Sequence, residues 1–513
     1  MNNEISSQKY IVRSSFEDII LKLPINWRQN PFSNKNWVHH FMSLRWALKK
    51  EMEPLKLKLL LTDFYNYHVR KGANNPHYNT IRGDHTAAER VNGLCFEYER
   101  FKDYEDLALP GVIIRLLKSD INNLLSEEMY RAGHNHALMV DKALVKCAID
   151  IPKLRHLVDL NHVLNRAYAT LSQMFYEDGV TRENSISYQE YNFNIVNQFC
   201  DQLTDLDSLE VNPTVLESLF SFLNVIKSQT KVLLGYALRE NDTYLELGDT
   251  FSDPKLEILS ALNNNADDTE LSQSARDLLA PYSSESGYYC KHGLVLYRHK
   301  EKDYTVHFGQ TVMYGSNNHK QDDELSFCLC IDNTDIFIDA GYNAIVSQEE
   351  QDYLKSSFAH STLNVIGSEW ISFDEPIKSN SIQDLNYNGA QLSYNMTHER
   401  IKGFTVHLHT SIEPKSLTLN YSCTNSSQLP ILKLNRFILS VGCSVEFVNS
   451  KCLIVKKDNC RVKITVLDDI ESITVGNAIY TKFNGDMECL NTTSIDILYY
   501  CENLKVKVDF LQF

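Results

Sequence analysis

A chain of 513 residues is too long for one ordinary hydrophobic core, so two domains are the starting expectation. With 43% hydrophobic and 23% charged residues it has a globular composition, which excludes disordered and collagen-like classes. A formal net charge of −16 argues against nucleic acid and anionic membranes as partners, because no basic field is present to drive counterion release.

No apolar run approaches the length of a membrane span. The first residues lack a basic start followed by an apolar core and a small-residue cleavage site, so a cytoplasmic location is expected. Twelve cysteines without CxxC pairs suggest reduced, mostly buried thiols.

From Asn26 to about Pro281 the apolar spacing is helical. It predicts helices over Trp37 to Met52, Leu55 to Arg70, His85 to Phe101, Val112 to Leu125, His136 to Ile149, Leu154 to Phe175 and Val215 to Tyr236. Near residue 285 the texture changes to short alternating runs separated by Asn, Asp, Gly and Ser. Leu294 to Tyr297, Tyr304 to Phe308, Leu325 to Ile331, Thr362 to Ile366 and Phe404 to Leu408 read as strands. So do Phe437 to Val441, Leu453 to Lys456, Val462 to Val466 and Leu504 to Phe510. Residues 1–285 are therefore expected to form a helical domain and 286–513 an all-β domain.

Asp332 to Asp335 is turn chemistry between Leu325 to Ile331 and Ile336 to Ile338, which predicts a hairpin. His319, Asp322, Asp323 and Glu324 precede it and Asp339 ends its second strand, so titratable groups are expected to meet near one rim. His360 lies on the next strand-like segment.

His319, Gln321, Asp323, Leu325, Ser326 and Phe327, then Asp339, then Ala359, His360, Ser361 and Thr362 resemble the C-terminal signature of heparinase II/III-type polysaccharide lyases. That signature runs HxHxDxLSF, an Asp after the next strand, then AHNT. The second His of the HxH pair is Gln321 here. Two earlier segments also resemble the family: Asn135 to Asp141 its NHGLMQD segment, and Asp178 to Tyr188 its DGxxxENSPSYH segment. The resemblance implies an α+β multidomain chain, an N-terminal (α/α) toroid followed by a C-terminal antiparallel β-sandwich.

It also implies a lyase acting on an acidic polysaccharide or oligosaccharide, cleaving next to a uronate by β-elimination. Asn135 and His136 would contact the uronate carboxylate, Tyr188 would transfer protons, and His319 would assist or replace it as base. Such chemistry needs a donor for the developing enolate, one proton acceptor and one proton donor. Arg182 and Glu183, in the segment before Tyr188, and Arg90, in a segment resembling DHAxAxR, would bind substrate. Each residue also has an ordinary reading: Asn135 as a helix N-cap, Tyr188 as a packing residue, His319 as a carboxylate-paired histidine and Arg90 as an exposed helical arginine. The turn of Leu247 to Asp249 resembles a family GD turn and reads as structural.

Family members hold a zinc at the positions of Gln321, Asp339 and His360. An amide oxygen in place of one imidazole weakens that site, and Asp339 and His360 have direct pairing as their alternative. The resemblance and the missing export signal together suggest bacterial surface-polysaccharide metabolism. A protein that keeps the lyase architecture and binds or modifies a glycan without elimination is the second expectation.

Overall fold

The computed structural model describes residues 7–10, 12, 16–50, 52–70, 75–104, 108–204, 206, 211–250, 279, 281–282, 285–342, 346–373, 375, 380–425, 430–483 and 487–512. Two compact units result, one of residues 1–177 with 195–224 and one of residues 178–194 with 225–513.

The first unit carries a short hairpin of β1 (Ser7–Tyr10) and β2 (Ile19–Lys22). Its helices are α1 (Lys35–Met42), α2 (Pro54–Tyr65), α3 (Tyr78–Arg82), α4 (Asp84–Phe101), α5 (Ala108–Leu124), α6 (Asn135–Asp150) and α7 (Leu160–Met174). The helices α8 (Ile186–Leu203) and α9 (Pro213–Ala237) give residues to both units.

In α4, Ala87, Val91, Leu94, Tyr98 and Phe101 are buried at helical spacing, and the same face carries Arg90. Arg90 is wholly buried. It grips Asp120 of α5 through Nε at 2.8 Å and Nη2 at 2.6 Å and donates to the carbonyls of Met42 and Ile81. The carboxylate it faces thus belongs to the chain itself, and neither the substrate-binding nor the exposed reading describes its surroundings.

The helix predicted over 37–52 ends at Met42, because Leu44 and Lys49 take left-handed φ values of 58° and 59°. The one predicted from Leu154 starts at Leu160, where the Asp159 side chain accepts from the His162 N–H. Helix α8 was not anticipated, although Ile186, Phe193, Val196, Phe199 and Leu203 recur at helical spacing and are buried.

The second unit opens with a five-stranded antiparallel meander: β3 (Gly287–Lys291), β4 (Leu294–Lys300), β5 (Thr305–Thr311), β6 (Phe327–Ile331) and β7 (Thr334–Phe337). The turn from β6 to β7 is the predicted one, with Asp332 and Asn333 at φ 48° and 59°, a pair suited to a tight two-residue hairpin. After α10 (Gln348–Lys355) come β8 (Leu363–Val365), β9 (Ser381–Tyr387), β10 (Leu392–His398), β11 (Phe404–Glu413) and β12 (Ser416–Asn425). The chain closes with β13 (Lys433–Ile438), β14 (Ser444–Asn449), β15 (Cys452–Lys457), β16 (Cys460–Val466), β17 (Ser472–Phe483), β18 (Met487–Tyr499) and β19 (Asn503–Gln512).

These strands form an eight-stranded sheet in the order β14-β15-β16-β19-β12-β11-β10-β9 and a four-stranded sheet in the order β17-β18-β13-β8. One apolar core runs through the three sheets, including Phe308, Phe327, Phe337 and Phe437, the last three in edge-on contact at 5.2 to 5.9 Å. Each fully buried Phe contributes roughly 1.5–3 kcal/mol. The architecture is helices followed by antiparallel sheets, as the sequence predicts. All twelve cysteines are unpaired and most are buried. Among the described residues no helix is long and apolar enough to cross a membrane.

Candidate functional site

Three consecutive residues in the second unit organise the site. Asn184, at φ 53°, donates through Nδ2 to the carbonyls of Ser316 and Asn318 at 2.8 and 2.9 Å, and its Oδ1 accepts from the Gly315 N–H at 2.9 Å. A Cβ on Gly315 would sit 2.6 Å from the Arg182 carbonyl, so only glycine lets the two backbones approach this closely. The Ser316 hydroxyl completes the clamp on the Arg182 carbonyl at 2.9 Å. The loop so held delivers His319.

Ser185 reaches in another direction: its hydroxyl donates to the Asp249 carbonyl at 2.6 Å, while the Ile186 N–H donates to the Thr250 hydroxyl at 3.1 Å. In the first turn of α8 stands Tyr188. Its ring stacks on that of His319 with centroids 3.4 Å apart and planes at 26°. His319 Nδ1 lies 2.6 Å from Asp249 Oδ2, and Nε2 lies 3.8 Å from Glu183 Oε2. Glu183 and Asp249 are buried. Burial, reinforced by the Asp249 and Glu183 carboxylates, holds the Tyr188 hydroxyl well above its ordinary pKa of 10. The Tyr188 hydroxyl therefore keeps its proton in this setting, and Nε2 of His319 lies beside it without a hydrogen bond to Glu183.

The acids that follow His319 are used elsewhere. Asp322 and Glu324 pair with Arg400, and Asp323 and Glu324 with the buried Lys320. Of the rim expected around His319, Asp322, Asp323, Glu324 and Asp339, the acids do gather, Asp323 lying close enough to Asp339 and His360 to feel both charges, but His319, at φ 53°, turns to Asp249 instead. Arg182 is half-buried and holds the His319 loop through its backbone.

In the first unit, His134 rather than Asn135 caps α6, its ring Nδ1 accepting from the His136 N–H at 3.1 Å. Asn135 is the first helical residue, buried, with Oδ1 lacking a partner among the described residues. His136 Nδ1 lies 2.5 Å from Arg131 Nη2 and 3.3 Å from Asp84 Oδ1. Arg131 also grips Asp84 at 2.6 and 2.9 Å. Burial works against ionisation of Asp84, but its hydrogen bonds from His136 and Arg131 win and hold it well below the usual carboxylate range. Asp84 and Arg131 were not singled out; nothing in their spacing links them to His136.

At the zinc-type positions, Asp339 Oδ1 lies 3.1 Å from His360 Nδ1, and both side chains are wholly buried. Asp339 also accepts from the Ser326 hydroxyl at 2.7 Å and the Gly341 N–H at 3.3 Å. Gln321 Nε2 donates to the Gly341 carbonyl, while its Oε1 and His360 Nε2 are buried without partners among the described residues. Zinc takes at least three imidazole, thiolate or carboxylate ligands in protein sites. Among the described residues no group of three His, Cys, Asp or Glu is placed to hold a metal, and the set here offers one imidazole, one carboxylate and one amide.

Residues 285–411 match the family described as heparinase II/III-like, C-terminal. The heparinase-like fold extends over nearly all of the chain. A heparinase III crystal structure is 12% identical with a TM-score of 0.72, covering 95% of this chain and 79% of its own. The heparan sulfate lyase HepC from Pedobacter heparinus is also 12% identical, with a TM-score of 0.63, covering 98% of this chain and 81% of its own. The shared architecture is a toroid of helices followed by a β-sandwich. No curated protein sequence matches the chain.

Proposed function

We propose that this heparinase-like chain is a polysaccharide lyase that cleaves a uronate-containing acidic polysaccharide or oligosaccharide by β-elimination. The carrying observation is the Tyr188–His319 stack, in which a proton donor and a proton acceptor lie in contact. His319 Nε2 takes the proton on C5, alpha to the sugar carboxylate. The electron pair of that C–H bond becomes the C4=C5 double bond, the C4–O bond breaks, and Tyr188 gives its proton to the leaving oxygen. Return of the proton from His319 to the Tyr188 oxygen, directly or through solvent, resets the pair. A hydrogen-bond donor on the uronate carboxylate is worth about 2.7–4 kcal/mol in the transition state.

Support comes also from the solved neighbours named heparinase III and heparan sulfate lyase. In this reading Asp339 and His360 hold the end of the meander without zinc, and Gln321 is a structural hydrogen-bond donor. The test is ultraviolet absorbance from a new unsaturated uronate when the purified chain meets a panel of uronate polymers. A rise lost in Tyr188→Phe and in His319→Ala supports elimination. Silence across the panel, with binding retained, favours the second reading, a glycan-binding protein without elimination.

A further inference from the structure

We propose that Asp249 is the positioning residue of this site, fixing the proton of His319 on Nδ1 and so reserving Nε2 as the proton acceptor. Only the kinetic part of the test below rests on the lyase reading. An ionised carboxylate accepts and cannot donate, so the 2.6 Å contact between Asp249 Oδ2 and His319 Nδ1 puts the hydrogen on Nδ1. The neutral imidazole then has its lone pair on Nε2.

The carboxylate is held where it is by its neighbours on the chain. Gly248, at φ 61°, makes the turn, and a Cβ there would press on the Asn184 carbonyl at 3.0 Å. The Asp249 carbonyl accepts from Ser185 and the Thr250 hydroxyl accepts from the Ile186 N–H. Asp249 is thereby tied to the start of α8, the helix whose first turn carries Tyr188. Donor and acceptor are thus registered through one short stretch of backbone.

The second nitrogen tells the same story. Nε2 is 3.8 Å from Glu183 Oε2, too far for a hydrogen bond. Once Nε2 takes a proton, the imidazolium lies between Asp249 and Glu183.

The experiment uses the full chain, with the imidazole nitrogens labelled with nitrogen-15 and the His319 signals assigned by their loss in His319→Ala. In the unaltered chain near neutral pH, Nδ1 of His319 carries the proton and Nε2 does not; in Asp249→Asn the preference weakens or reverses, because an amide can donate to Nδ1. In the absorbance assay Asp249→Asn loses at least 100-fold in kcat with KM changed less than threefold, and Asp249→Glu recovers part of the loss. The corresponding change in serine-protease triads costs about 10⁴ in kcat. An unprotonated Nδ1 in the unaltered chain, or unchanged kcat in Asp249→Asn, overturns the proposal. If the unaltered chain yields no unsaturated product from any polymer, the lyase reading fails on its own, and the nitrogen signals still decide the role of Asp249.

Discussion

The second unit contains two histidine–aspartate pairs that look alike on paper and differ in what surrounds them. His319 meets Asp249 at 2.6 Å with its side chain 23% exposed, and His360 meets Asp339 at 3.1 Å with both side chains at 0%. The first pair keeps one nitrogen open beside a stacked tyrosine; the second is sealed under Ser326, Gly341 and the core. Under the proposed function the same two residue types make a proton-exchanging pair where solvent can reach them, and a fastening where it cannot. Burial decides between the roles, because a sealed charge pair cannot trade protons with anything outside it.

The comparison is broken most directly by exchanging expected losses. His319→Gln should cost about 10³-fold or more in kcat, consistent with removal of a general base, while moving the urea unfolding midpoint little. Asp339→Ala should do the reverse in kind, lowering unfolding stability by about 3–5 kcal/mol because it strands a buried partner. Urea unfolding followed by circular dichroism measures it, and a shift under 1 kcal/mol would break the distinction.

A smaller effect concerns pH. Burial opposes the charge on His360, but Asp339 outweighs it and raises His360 above its ordinary 6.5; burial likewise opposes ionisation of Asp339, and His360 with its other hydrogen bonds lowers it below 3.8. The histidine contribution is complete below about pH 6.5 and fades as pH rises through the raised value. The aspartate contribution is complete above about pH 3.8 and fades as pH falls through the lowered one. The pair should therefore stabilise most between those limits, and the unfolding midpoint should fall from pH 6 toward pH 9, less steeply in the double variant Asp339→Asn with His360→Gln.

The least effect is expected from metal removal. A chelator should leave activity and the unfolding midpoint unchanged, and metal analysis of the purified chain should find well under one zinc per molecule. A stoichiometric zinc whose loss lowers the midpoint would overturn the metal-free reading of this corner.

How much of this was legible in the sequence differs by range. The β6–β7 hairpin was readable because alternation and the Asp332-Asn333 turn are local. Tyr188 and His319 were readable as candidates through spaced motifs, and they do meet. Asp249 was seen only as a turn, because its partner lies 70 positions away and neither residue's neighbours encode the other. The direction of His319 was misjudged for the complementary reason: three acids stand next to it in sequence, yet Lys320 and Arg400 neutralise them. Arg90 reads equally as a substrate-binding or an exposed helical arginine until Asp120 appears opposite it on the next helix.

The clamp of Asn184 on the loop at Ser316 and Asn318 joins segments separated by 132 and 134 positions. Closing so large a loop is entropically slow compared with winding a helix, so the chain can regain most of its helical signal before the stack of Tyr188 on His319 exists. Renatured chain should accordingly recover ellipticity first and turnover later, which makes catalytic activity a stricter gauge of correctly folded material than any spectroscopic measure of helix content.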